Sequence, residues 1–201
     1  MTVNIDELQR FCTFGPDRVY LLVAIARAKE NPGTGRQELP VIREVVADAA
    51  ALSRKVRQLD HAMSRFDLRS RLYISVNARD ALAATFELRR RMDDWLEMRL
   101  HGDEDVATKF KQVDSEFKSV LQSDGCSDET NFLFDLDDVS AAEADGLEAT
   151  LGERTTVSLR RETPNGYHLV TEPFDYTELA TDVGYELKTD GMLFLSYVGE
   201  D

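Results

Sequence analysis

Asn131-Phe132-Leu133-Phe134-Asp135-Leu136-Asp137-Asp138-Val139 is a short apolar run that ends in a fan of carboxylates. The polar stretch Ser123 to Thr130 bounds it upstream, so it reads as a buried strand rather than the start of a helix. Alternate side chains of an extended chain share a face, which sends Asp135 and Asp137 one way and Leu136 the other. Two like charges held that close favour a cation between them, and all-oxygen ligands favour Mg²⁺ or Mn²⁺. The plain alternative is a strand that runs out into a solvated acidic turn.

Working outward from this strand, the downstream residues alternate as strands and turns. Ser140 caps a short helix to about Leu151, and Thr155 to Arg161 alternates as a strand with Val157 and Leu159 inward. Thr163-Pro164-Asn165-Gly166 makes a tight turn into Tyr167-His168-Leu169-Val170, a short helix is expected after Pro173, and Asp190-Gly191 splits a final hairpin of Tyr185–Lys188 and Met192–Val198. Upstream, Arg71 to Val76 is a strand and Asn77 caps a helix to about Leu100, with Leu82, Phe86, Met92, Trp95 and Leu96 as its buried stripe. Val106, Phe110, Val113, Phe117 and Val120 mark a further helix ending near Gly125.

Before Arg71 the pattern reads as helical. Gly15-Pro16-Asp17 starts a helix buried through Val19 to Ala26, which stops at Asn31-Pro32-Gly33 before a turn-rich segment to Pro40. Val41, Val45, Ala49, Leu52, Val56 and Leu59 space a second helix. The expected fold is therefore α+β: a helical N-terminal region over residues 1–70, then a core over residues 71–201 built on one mostly antiparallel sheet backed by helices, close to a split βαβ arrangement.

Composition narrows the function classes. The 38 acidic residues outnumber the 24 basic ones, for a net charge of −14, which suits a high-salt cytoplasm and hence a halophilic host. It also argues against loose, sequence-independent affinity for nucleic acid, which rests on many Lys and Arg contacts to phosphate. Cys12 and Cys126 lie far apart, with no zinc-ligand spacing and no disulfide framework. The longest apolar run is too short to span a bilayer, and the expected setting is cytoplasmic, with no membrane partner.

Two further stretches carry chemistry. In Gly166-Tyr167-His168 a histidine leaves a glycine turn on a strand that can lie beside that of Asp135, where it would hold phosphate; a satisfied, half-buried histidine is the alternative. In Tyr185-Glu186-Leu187-Lys188 an acid and a cation share a strand face, as a two-metal nucleotidyl-transfer site needs, or as a surface ion pair would. Together, hydrophobic-Asp-hydrophobic-Asp, small-x-His after Thr163-Pro164, and hydrophobic-acid on a strand resemble the three motifs of the archaeo-eukaryotic primase superfamily, particularly its compact primase-polymerase branch. The resemblance covers roughly Leu72 to Val198. It implies an RRM-like sheet, metal binding and catalysis by Asp135, Asp137 and Glu186, and contact of His168 with the phosphates of an incoming nucleotide.

Lys188 and Asn165 join His168 as nucleotide-binding candidates, and Asp190 competes with Glu186 as third metal ligand. Arg160 or Arg161 would meet template phosphate. The expected partners are then a nucleoside triphosphate and a nucleic-acid template, with Mg²⁺ or Mn²⁺ as cofactor. Two other readings stand beside this one. A non-catalytic interaction protein, of the viral or mobile-element accessory kind, would use the same fold for binding. Phe134-Asp135-Leu136-Asp137 also resembles the nucleophile motif of haloacid-dehalogenase-type phosphatases, but the tail after Val139 is short for that fold.

Overall fold

The run Val19 to Ala26 is apolar at every position, so it has no period to tell helix from strand, and β-branched Val19, Val23 and Ile25 weigh toward strand. In a computed structural model describing residues 3–33 and 39–199, it is the central strand β1 (Arg18–Ala26), not the expected helix. It pairs antiparallel with β2 (Val41–Val46) on one side and β3 (Ser70–Ser75) on the other. The second expected helix is thus half strand, and only α2 (Ala51–Ser64) keeps the helical spacing, started by Asp48, whose side chain accepts from the Ala51 N–H. A short helix α1 (Ile5–Phe11) comes first, and residues 34–38 of the turn-rich segment lie outside the described residues. Residues on both sides of position 70 therefore share one sheet.

A two-residue strand β4 (Arg79–Asp80) pairs with the start of β1 and leads into α3 (Ala81–Leu100). Asp80, not Asn77, caps this helix, by accepting from the Ala83 N–H at 2.8 Å. Its buried side is Ala84, Leu88 and Trp95, whereas Leu82, Phe86 and Leu96 of the expected stripe are half exposed. Small Ala84 lets the helix sit close, so the face is chosen by packing rather than by the largest side chains. The expected helix over 106–120 is broken at Gln112 into α4 (Ala107–Lys111) and α5 (Val113–Leu121).

The carboxylate stretch forms β5 (Phe132–Asp137), followed by α6 (Ala141–Gly152) with Ser140 and Glu143 in a reciprocal capping box. The hairpin of β6 (Val157–Thr163) and β7 (Gly166–Thr171) and a short β8 (Glu186–Lys188) complete a second antiparallel sheet, in the order β6-β7-β5-β8. That order and pairing are those of a split βαβ unit without its second helix. No helix follows Pro173; Phe174, Leu179, Val183 and Tyr185 of this segment instead cover the outer face of β5 beside α6. Among the described residues the fold is α+β, with two antiparallel sheets where the sequence suggested one.

The last strand β9 (Met192–Val198) does not form a hairpin with β8. It pairs with β3, so the first sheet runs β2-β1-β3-β9, and Thr189-Asp190-Gly191 is a strap between the sheets. Buried Asn77 clips this crossing, donating to the Thr189 carbonyl at 2.9 Å and accepting from the Asn131 N–H at 2.7 Å. Leu133, Leu159 and Val170 of the second sheet share a core with Tyr20, Leu22, Leu72, Ile74 and Leu195 of the first. No helix among the described residues is long and apolar enough to cross a membrane.

Candidate functional site at the cleft between the sheets

Strand register decides which side chains meet. In the second sheet Asp135 lies opposite His168 of β7 and opposite Glu186 of β8, while Asp137 lies opposite Gly166. Even-numbered Phe132, Phe134 and Leu136 go to the outer core, so Asp135 and Asp137 emerge on the inner face. A cleft of about 390 Å³ opens there, with Asp135, Asp137, Asn165, His168 and Lys188 on one wall. Val23, Arg71 and Tyr73 of the first sheet, with Arg27 and Lys29 just after β1, form the other. The four expected carboxylates therefore meet here unequally: Asp135, Asp137 and Asp190 line the cleft with all three expected donors, His168, Lys188 and Asn165, whereas Glu186, opposite Asp135 in register, is 71% exposed and stands outside the lining.

The centre of the site is Asp135. Its Oδ1 is 3.1 Å from His168 Nε2, and its Oδ2 accepts from Lys188 Nζ at 2.6 Å. The hydrogen bond from His168, reinforced by Lys188, holds the Asp135 carboxyl well below the usual carboxylate range, against burial that works the other way. Lys188 also reaches Glu186 Oε2 at 3.0 Å, so one ammonium is shared by two carboxylates. Burial disfavours the Lys188 charge, but the bonds to Asp135 and Glu186 outweigh it and raise its pKa.

His168 is buried, and its Nδ1 accepts the Phe194 backbone N–H of β9 at 3.2 Å. The ring proton is thereby placed on Nε2, facing Asp135. Both nitrogens are engaged, so His168 orients Asp135 instead of presenting a free donor to phosphate.

Two expectations are corrected. Asp190 is bound by both terminal nitrogens of Arg79, at 2.7 and 2.6 Å, and Arg79 is almost wholly buried. It lines the cleft, but with both oxygens held by Arg79 it is not an open third ligand. Arg160 pairs with Asp145 and Glu148 of α6, and Arg161 pairs with Glu7 of α1, so neither is available for template phosphate as it stands.

The donor set otherwise suits a hard cation: oxygens of Asp135 and Glu186 already share a positive charge, and Asp137 lies one pleat along on the same face. A metal would take the place of the Lys188 ammonium, because among the described residues no three Asp, Glu, His or Cys side chains are drawn together to hold one as they stand.

The opposite wall contains residues of the N-terminal region expected to be helical. Arg27 lies 5.8 Å over the Tyr73 ring, Lys29 is exposed, and neither forms an ion pair among the described residues. Arg71 pairs with Glu30. The available signal was Arg27 and Lys29 directly after the apolar run and Arg71 opening the next strand. Only the strand assignment of 18–26 aims them across the cleft. Set against known protein families, curated proteins and solved structures, the chain finds no match in any of the three.

Proposed function

We propose that this cleft binds a nucleoside triphosphate and transfers its nucleotidyl group to a nucleic-acid 3′-hydroxyl, forming a phosphodiester as the α–β phosphoanhydride bond breaks and pyrophosphate and the hydroxyl proton leave, a primase-polymerase type of chemistry. The observation that carries the reading is the meeting, in one cleft between two sheets, of acidic Asp135 and Asp137, with Glu186 beside them through Lys188, and a basic wall whose Arg27 and Lys29 form no ion pair among the described residues. A triphosphate needs this division: cations for its phosphates on one side, and carboxylates for the ions that accompany it on the other.

Arg27 and Lys29 would take the phosphates, and Tyr73 gives Arg27 a face to lie on. Asp135, Asp137 and Glu186 would hold Mg²⁺ or Mn²⁺, which when bound neutralises charge developing on the phosphoryl oxygens. Lys188, released from Asp135 and Glu186, would turn to the phosphates. His168 would keep Asp135 ionised and aimed through the Phe194 amide.

A second reading is favoured by one observation: both Asp135 oxygens are already occupied by His168 and Lys188. In that reading the cleft binds a polyanion without turning it over, and Lys188 stands permanently where a metal would sit. Calorimetry of Mn²⁺ binding at high salt separates the two. With and without nucleoside triphosphate, wild type is compared with Asp135→Asn/Asp137→Asn. The catalytic reading expects Mn²⁺ binding that tightens with nucleotide and disappears in the double variant. Nucleotide binding that ignores Mn²⁺ in both proteins would move the assignment to the second reading, and no binding of either would defeat both.

A further inference from the structure

Helix α3 has two apolar sides. Ala84, Leu88 and Trp95 face the core with Val106 and Val120, while Leu82, Phe86, Leu96 and Leu100 are 51%, 52%, 52% and 87% exposed. At 3.6 residues per turn these four fall within about 40° of one line along the helix, and Arg89 and Asp93 fall on the same line between them. Both charged residues are exposed and form no ion pair among the described residues. A five-turn stripe that is apolar at both ends and carries one free charge of each sign in the middle is not an ordinary solvated face.

The stripe is self-complementary. Leu82 and Leu100 lie nine residues either side of Arg91, Phe86 and Leu96 five, and Arg89 and Asp93 two. A second copy of α3 laid antiparallel about that centre sets Leu82 against Leu100, Phe86 against Leu96, and Arg89 against Asp93, each pairing occurring twice. Charge permits the approach. Within Ala81–Leu100, four arginines (89, 90, 91, 99) balance four acids (87, 93, 94, 97), leaving the helix neutral in a chain of net charge −14. Elsewhere two such acidic surfaces repel, and here they do not.

We infer that the chain forms a two-fold symmetric homodimer through antiparallel pairing of α3, with Arg89 of each copy against Asp93 of the other. In such an isologous contact the same patch serves both partners. A single pair of helices about 30 Å long lies at the low end of specific interfaces, near 1,200 Å² in total, so a micromolar dimer is expected.

The test is sedimentation velocity of the full chain at moderate salt, over about two decades of concentration around the micromolar range. Four samples are compared: wild type, Arg89→Asp, Asp93→Arg, and an equimolar mixture of the two variants, one of them carrying a fluorophore. Wild type is expected to dimerise, and each variant alone to dimerise at least about tenfold more weakly, because like charges then face each other twice. The mixture is expected to recover wild-type affinity as a heterodimer, since Asp at 89 then meets the partner's Arg at 93. Circular dichroism checks folding, and Phe86→Asp, at another exposed position, is expected to abolish the dimer. A wild type that stays monomeric overturns the proposal. So do charge-reversed variants that dimerise as well as wild type, or a mixture that fails to recover, since either assigns the dimer to another face or another pairing.

Discussion

Asp135 accepts one hydrogen bond from the His168 imidazole and one from the Lys188 ammonium, and both donors favour its charged form. Its pKa in the folded chain lies below the unfolded value near 3.9, so it stabilises the fold above about pH 4 and loses that contribution as pH falls toward the depressed value. Asp135→Asn is expected to cost about 2 kcal/mol at neutral pH and to flatten the acid limb of a stability-versus-pH curve. Urea midpoints from neutrality down to about pH 3 measure it. An acid limb as steep as that of wild type would show that other carboxylates carry the pH dependence. His168 shows why a residue's type alone does not give its role. A histidine after a glycine turn suggests a phosphate contact, yet the Phe194 amide, 26 positions away, fixes its ring toward Asp135.

Between elements, the start of β7 leaves no room against β5. A Cβ on Gly166 would lie 1.9 Å from the Leu136 carbonyl oxygen, which belongs to backbone and cannot swing aside. Gly166→Ala is therefore expected to cost about 3 kcal/mol, read as a lowered denaturant midpoint, and to push Asp137, its partner in register, away from the cleft. A neutral Gly166→Ala would mean that the hairpin shifts freely. The motif strands were legible in the sequence because each alternates cleanly and is punctuated by a turn: Asp135 with Asp137, His168 after Gly166, and Lys188 line the cleft, with Glu186 exposed beside it. The opposite wall was not legible. A strand buried on both faces looks like a buried helix, and with Val19 to Ala26 assigned to the wrong class, Arg27 and Lys29 had no cleft to face. Helix α3 was misread for a related reason: two apolar sides, merged on one helical wheel, gave a single stripe that mixes Trp95 with Leu82. The neighbouring of the Asp135 and His168 strands was within reach of the sequence, whereas the departure of β9 to the other sheet leaves no local mark, because Asp190-Gly191 reads as a hairpin turn either way.

Across the whole molecule, a net charge of −14 means that the fold forms against its own repulsion. Screening shortens from about 10 Å at 0.1 M salt to about 3 Å at 1 M, so the melting temperature is expected to rise over that range in a thermal scan followed by circular dichroism. A melting temperature that falls with salt would show that attractive pairs, such as Lys55 with Glu44 or Arg160 with Glu148, outweigh the repulsion. The two sheets are interleaved along the chain, and Met192–Val198 closes against Ser70–Ser75. A ribosome adding about 5–20 residues per second thus needs roughly ten seconds, after making the middle strand of the first sheet, before that strand's open edge can be covered. For that interval the nascent chain offers unpaired backbone to any passing strand, and whatever shields the edge during synthesis decides how much of the protein reaches its folded state.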